Sequence, residues 1–421
     1  MRATFVVMLA SLGAAAGAAV AAASTSDKTP PLYGEIERGR YLSAAGDCKA
    51  CHTADGGKPF AGGRAVPTPF GTIYAPNITP DKETGIGNWT EDQFWKSMHE
   101  GLLPDGTHLY PAMPYPWYTK LTRDDVLAIK AYLDTLPAVR SETKKPALPF
   151  PLSWRESVAA WNRLFFDPGT YQTDARKSAQ WNRGAYLVEG AGHCGACHSP
   201  KNVLGAVKQD QRFQGGKGEG WFAVNLTSDP REGVGSWSED EIVQYLKTGA
   251  TKRARAMGPM GEVVEHSTSH LSDADLHAIA TYLKDLPAPQ RGKSGDDKKP
   301  AQDVMTRGRL VYLDQCAGCH MENGEGVAGV FPPLKGNTGL QAHNPLSLAR
   351  LVLEGAKSVK TAAHPEGFAM PAFGGKLSDA QVADVLTFAR TAFGGNAGSI
   401  TKDQVADVRK QVSKHAYARK N

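Results

Sequence analysis

The chain has 421 residues, with 48 Lys and Arg against 43 Asp and Glu, a formal charge of +5. Its 41% apolar and 22% charged residues describe a folded protein and exclude global disorder, and so small a positive excess gives nucleic-acid binding no support. The length is a soft prior for about three domains, and 45 Gly with 27 Pro point to small, loop-rich ones.

Met1-Arg2 is a short positive n-region, followed by an apolar run from Phe5 to Ala23 rich in Ala, Val, Leu and Gly. The run ends in the small residues Ala21-Ala22-Ala23 and turns polar at Ser24-Thr25-Ser26-Asp27-Lys28. Residues 1–23 therefore read as a secretory signal peptide. The competing reading is an uncleaved anchor, for which the Ala and Gly richness is poorly suited. No later stretch reaches the ~18 consecutive apolar residues that a membrane span needs. The expectation is an exported chain whose chemistry lies outside the cytoplasm.

The six cysteines fall into three identical constellations: Cys48-Lys49-Ala50-Cys51-His52, Cys194-Gly195-Ala196-Cys197-His198 and Cys316-Ala317-Gly318-Cys319-His320. C-x-x-C-H is the attachment pattern of c-type haem. Cysteines three apart sit nearly one turn apart on a helix of ~3.6 residues per turn, so both sulfurs can meet one porphyrin edge. The following His is placed to ligate the iron as the proximal ligand. Zinc would need four ligands per site, and three CxxC pairs do not group into Cys₄ sets. A thioredoxin-like pair would need a βαβ context, and a disulfide closing so short a loop is strained.

Repeats surround these motifs. Before each lies a short amphipathic helix with an Arg-Gly pair: Arg38-Gly39, Arg183-Gly184 and Arg307-Gly308. After each comes a second helix opening at Leu121-Thr122, Leu271-Ser272 and Leu377-Ser378, with Asp125, Asp275 and Gln381 at capping-box spacing. Tyr132, Tyr282 and Phe388 recur at the same place in that helix, and Val126, Ile129 and Leu133 repeat at helical spacing. The first two repeats also share a middle: Pro76-Asn77-Ile78-Thr79 to Trp89-Thr90-Glu91-Asp92 parallels Val224-Asn225-Leu226-Thr227 to Trp237-Ser238-Glu239-Asp240. The third lacks it. The boundaries read as modules at 33–140, 177–290 and 303–395, an interlude at 141–176, a polar linker at 291–302 and a basic tail at 396–421.

Each iron needs a sixth ligand or an open face, and the neutral thioether of Met favours ferrous iron. Met113 and Met370 occupy the loop before the closing helix of the first and third modules. In the second, Met257 and Met260 compete, and alignment on the following helix favours Met260. Met98 reads as core, because Phe94, Trp95 and Leu102 share its helical face. His108, His266, His270 and His364 lie in suitable regions but read as surface or hydrogen-bonded residues.

Three CxxCH modules with strings such as Ala75-Pro76-Asn77-Ile78-Thr79-Pro80-Asp81, Leu109-Tyr110-Pro111-Ala112-Met113-Pro114-Tyr115, Trp181-Asn182-Arg183-Gly184-Ala185-Tyr186-Leu187, Gly258-Pro259-Met260 and Val330-Phe331-Pro332-Pro333-Leu334 resemble the trihaem cytochrome c subunit of bacterial membrane-bound dehydrogenases. Such subunits serve alcohol, gluconate, sorbitol, fructose and aldehyde dehydrogenases. The resemblance implies a mainly α fold of three tandem class I cytochrome c domains, each wrapped around a covalently bound haem. It implies three haem c groups on Cys48, Cys51, Cys194, Cys197, Cys316 and Cys319, with axial pairs His52/Met113, His198/Met260 and His320/Met370. It also implies a catalytic partner carrying flavin or a quinone cofactor, sometimes a small third subunit, delivery of electrons to ubiquinone, and a peripheral place on the periplasmic face of the cytoplasmic membrane.

No dinucleotide fingerprint, P-loop or nucleophile elbow is present, since the Gly-rich run Gly215–Gly220 follows a polar stretch. A peroxidase-like multihaem enzyme and a free periplasmic carrier are the alternative readings. In the tail, Val405, Val408 and Val412 recur at helical spacing among basic residues, which fits either a membrane-surface helix or a solvated, frayed end. The run Lys252-Arg253-Ala254-Arg255 reads as a solvated loop, with haem propionates or a partner as its alternative contacts.

Overall fold

The computed structural model describes residues 31–289, 299–363, 369–394 and 398–420. The leader at 1–23, His364 and most of the linker at 291–302 lie outside the described residues.

The architecture is mainly helical and is built on one motif used three times. An opening helix crosses a closing helix: Pro31–Ala45 with Arg123–Asp134, Ala179–Tyr186 with Asp273–Asp285, and Gln302–Gln315 with Asp379–Ala392. The Arg-Gly pairs make these crossings. A Cβ on Gly39 would lie 1.7 Å from the Ala128 carbonyl oxygen, one on Gly184 1.9 Å from that of Ala278, and one on Gly308 2.2 Å from that of Asp384. Those three carbonyls occupy the same turn of their helices, so only glycine admits the observed backbone approach. Beside each glycine the arginine reaches an acid on the closing helix: Arg38 to Asp125 (2.5 Å), Arg183 to Asp275 (2.7 Å) and Arg307 to Asp384 (2.6 Å).

The closing helices are capped as their spacing foretells. Thr122, Ser272 and Ser378 each accept from the backbone N–H three residues on. Only Gln381 also returns the second arm of the capping box. Asp125 and Asp275 are shorter by a methylene and turn instead to arginine and tyrosine. The shared middle of the first two modules closes on Asp81 and Asp229, whose carbonyls accept from Gly85 and Gly87, and from Gly233 and Gly235. Full capping boxes then start the helices Glu91–His99 and Glu239–Thr248. Among the described residues three short antiparallel strand pairs form, Ala65–Thr68 with Gly71–Tyr74, Gly216–Gly218 with Trp221–Ala223, and Ala356–Lys357 with Ala369–Met370.

The modules do not bury their cores separately. One continuous cluster takes Leu42, Phe94, Leu121 and Leu133 from the first and Leu187, Val188, Phe213 and Leu276 from the second. The pair is joined by a reciprocal contact. Tyr41, three residues after Arg38, donates to Asp275 (2.6 Å) and accepts from the Ser272 N–H (3.1 Å). Tyr186, three residues after Arg183, donates to Asp125 and accepts from the Thr122 N–H (3.0 Å). The same position on each module thus grips the same helix start on the other. The third module has Leu310 and Gln381 at these positions, and Leu310 is 61% exposed. It keeps its own core around Tyr312, Val382 and Leu386. It meets the second module through Ser347, which bonds both backbone groups of Phe222, and through buried Arg350, which reaches the Gly220 carbonyl and lies over the Trp221 ring.

Two segments acquire partners that the sequence reading did not specify. The interlude is bound to the first module: Tyr115 donates to Asn162 (2.5 Å), Arg155 to the His108 carbonyl (2.6 Å) and Tyr171 N–H to the Lys120 carbonyl (3.0 Å). The tail forms the helix Lys402–Lys420, and its valines face protein rather than a membrane or solvent. Val405 and Val408 are buried in the third core, and Arg409 clamps Asp379 together with the Gly374 and Leu377 carbonyls. Periodicity marked the apolar face correctly, but it carries no information about what covers that face.

Two outcomes follow from this packing. Gly184→Ala forces a methyl into backbone that no rotamer change can relieve, and calorimetry should show a loss of about 3 kcal/mol. The carboxyl of Asp275 is pushed up by burial, but its bonds from Arg183 and Tyr41 and the charge of Arg183 outweigh this and hold it below its ordinary value. A depressed carboxyl contributes stability that is complete above its unfolded pKa of about 3.9 and is lost as pH falls through its folded value. Asp275→Asn should remove that part of the acid dependence in equilibrium unfolding from pH 5 downward.

Candidate haem sites

Each CxxCH motif occupies one helical turn that follows an opening helix, in the second module by way of the π-helical turn Leu187–Ala191. The turns cover Cys48–Cys51, Gly195–His198 and Ala317–His320. The N–H of His52, His198 and His320 donates to the carbonyl of Cys48, Cys194 and Cys316 at 2.9, 3.0 and 3.0 Å. This closure places the imidazole one turn beyond the first sulfur. All six cysteines are free. Burial pushes the Cys48 and Cys316 thiols up to about 11 and those of Cys51 and Cys194 up to about 12.

The three imidazoles share one environment. His52 Nδ1 lies 2.7 Å from the Pro76 carbonyl oxygen, His198 Nδ1 2.7 Å from that of Val224, and His320 Nδ1 2.9 Å from that of Pro332. A carbonyl oxygen only accepts, so Nδ1 carries the hydrogen in each ring and the lone pair is left on Nε2. Burial pushes all three imidazoles below their ordinary pKa, against a smaller opposing effect of the carbonyl, and so keeps them neutral. A neutral imidazole with a fixed Nδ1–H is a prepared metal ligand.

The repeat strings explain where those carbonyls come from. Pro76 and Val224 precede Asn77 and Asn225, whose side chains accept from the N–H of Thr79 (2.9 Å) and Thr227 (2.7 Å) and so fix the turn that aims the carbonyl. Sequence reasoning recognised the duplicated Asn-x-Thr strings without assigning this role, and the duplication was the signal. The Gly-rich run is the hairpin beside the second site. A Cβ on Gly216 would lie 2.2 Å from the Ser199 carbonyl oxygen, so glycine lets the hairpin lie against the CxxCH turn.

The methionines are distributed as follows. Met113 packs on the shared core and Met370 on the third core, whereas Met98 is buried in the first module at 4% exposure. Met260 is in the first turn of the helix Pro259–His266 and packs against the cluster of Ala256, Val264 and Val359. Met257 pairs in a β-bridge with Ser358 of the third module. Among the other histidines, His108 Nδ1 lies 3.1 Å from Asn162 Nδ2, and His270 bonds the Glu265 carbonyl. Lys252 and Arg253 pair with Glu241, and Arg255 reaches the Gly329 carbonyl of the third module.

A propionate-bearing group fits the donor chemistry of the second module. Buried Arg212 Nε, Asn225 Nδ2 and Trp237 Nε1 have no protein acceptor, and all three are donors. In the first module the counterpart Asn77 Nδ2 is satisfied by Val139 and Thr84. Among the described residues no three His, Cys, Asp or Glu side chains gather as a metal cluster.

Comparisons with known proteins agree with this chemistry. Residues 36–137 and 305–392 match the cytochrome c family. The chain is 41% identical over 401 residues to the gluconate 2-dehydrogenase cytochrome c subunit of Pantoea cypripedii, covering 91% of each. It is 40% identical to the cytochrome c subunit of the quinone alcohol dehydrogenase of Gluconobacter oxydans, covering 89% of this chain and 82% of that one. The fructose dehydrogenase cytochrome subunit of Gluconobacter japonicus is likewise 40% identical, with 89% and 82% covered. With free paired cysteines, neutral oriented histidines and this degree of similarity, the chain belongs to the family of cytochrome c subunits of dehydrogenases, electron-transfer subunits rather than catalytic enzymes in themselves.

Proposed function

We propose that this chain carries three covalent haem c groups and passes electrons from a catalytic dehydrogenase subunit, with a flavin or quinone cofactor, to ubiquinone at the periplasmic face of the cytoplasmic membrane. The observation that carries the reading is the threefold repetition of one donor set: two free cysteines on a turn, then a neutral imidazole locked through Nδ1. When bound, haem c supplies a one-electron iron couple. The cysteines hold it by thioether bonds, the carbonyls of Pro76, Val224 and Pro332 fix the imidazole tilt, and the tight helix crossings keep each turn rigid. Met113, Met260 and Met370 are the proposed sixth ligands, with Met257, whose backbone bridges to Ser358, as the alternative to Met260. The joined core of the first two modules and the second–third interface support transfer within one chain rather than among independent carriers. Among the described residues no helix is long and apolar enough to cross a membrane, which supports a peripheral association.

Gentle detergent extraction from the native membrane should co-purify a catalytic subunit, and its substrate should reduce the haems in anaerobic spectroscopy. Purification as a lone soluble protein, or reduction only by a chemical reductant, would reject the assignment. Met260→Ala should abolish the iron–thioether charge-transfer band of one haem and leave a high-spin signal in electron paramagnetic resonance, whereas Met257→Ala should leave that band in place. Cys316→Ala/Cys319→Ala should lower haem iron by a third and expose the third module to proteolysis while the joined first two modules persist.

A further inference from the structure

Apart from Tyr33 in the opening helix and Leu310, the large apolar side chains exposed among the described residues all belong to the interlude and to the loop at 203–204. Phe150 is 83% exposed, Leu164 70% and Val203 90%, with Trp154 and Leu204 more than half exposed. They belong to one structure. Phe150 and Trp154 line a shallow pocket with Ser153, and the Trp161 indole N–H donates to the Leu204 carbonyl (2.9 Å), tying helix Glu156–Phe165 to the 203–204 loop. That helix buries Val158 and Asn162 on one side, and its helical spacing sets Ala160 and Leu164 on the outer side.

The exposure is held in place by the fold. Tyr110 donates to the Leu152 carbonyl (3.0 Å), the Arg155 guanidinium lies 4.9 Å from the Tyr110 ring centre, and Asn162 is bonded by buried Tyr115. An apolar surface kept outward by buried polar bonds marks an interaction site.

We propose that this surface seats the chain on the phospholipid bilayer, with Phe150, Trp154, Leu164, Val203 and Leu204 entering the interfacial zone. Three observations favour lipid over a protein partner. Exposed Lys144, Lys145, Arg163 and Lys201 flank it in sequence, among the acids Glu142, Glu156 and Asp167. Lysine is depleted in protein–protein interfaces but favoured beside anionic headgroups. Exposed tryptophan and phenylalanine around a short surface helix match the composition of interfacial anchors. Finally, the apolar face of the tail helix is already covered by the third core, so it is not free to do this work.

The proposal rests on the reading of the chain as a peripheral membrane subunit, and its test is separate from electron transfer. The full haem-loaded chain is sedimented with phosphatidylethanolamine vesicles containing phosphatidylglycerol. The wild type should partition onto them, the triple variant Phe150→Ser/Trp154→Ser/Leu164→Ser should lose about tenfold in partition, and Leu310→Ser should match the wild type. Haem content and the reduced spectrum of each variant report folding. If the wild type stays in solution, or the triple variant binds like it, the proposal fails. It also fails if the triple variant binds vesicles normally but no longer co-purifies with the catalytic subunit, which would make the surface a protein interface. Substrate-driven haem reduction in the complex tests the electron-transfer reading independently of either result.

Discussion

The backbone of each opening helix approaches that of its closing helix so closely that a single methyl group would collide with a carbonyl oxygen. Three glycines permit this, and three arginines placed just before them secure it by pairing with an acid across the crossing. The CxxCH turn follows the opening helix, in the second module through the π-helical turn Leu187–Ala191, so the crossing helps determine where two sulfurs and an imidazole stand. A second strand of the chain then presents a carbonyl to Nδ1, and burial removes the competing protonated state. Chemistry at the iron thus depends on a packing contact between two helices. A ligand with a fixed Nδ1–H needs little reorganisation when its iron changes charge, which suits repeated one-electron transfer.

Repetition of the motif has not produced three equivalent domains. The first two modules exchange tyrosines across their closing-helix starts and merge their cores, an arrangement with approximate twofold character. In the third, leucine replaces the tyrosine and glutamine the acid, so that grip is unavailable. It builds instead a separate core, completed by the tail helix, and docks on the second module through side chains meeting a hairpin. The consequence is a joined pair and a single module, which meet through those bonds and through an apolar cluster of Ala256, Val264 and Val359.

Much of this was legible in the sequence because it is encoded locally. The CxxCH turns, the N-caps at Thr122, Ser272 and Ser378, and the Arg-Gly positions are short patterns whose geometry follows from helix periodicity and hydrogen-bond reach. What the sequence did not disclose depends on contacts between distant segments. The valines of the tail fitted either a membrane face or a solvated end because periodicity records amphipathicity without naming the partner. The roles of Tyr41 and Tyr186 required knowing that two modules face each other. The carbonyls that orient the histidines are backbone atoms, invisible to residue type, although the repeated Asn-x-Thr marked the turns that aim them.

The account stands on three equivalent haem attachment sites, and the most direct measurement is the intact mass of the exported, denatured chain after removal of non-covalent ligands. It should exceed the mass of the processed polypeptide by three haem groups, with each CxxCH peptide carrying one on tandem fragmentation. A mass matching two haems or fewer from fully matured cells, or a CxxCH peptide recovered with unmodified thiols, would contradict it.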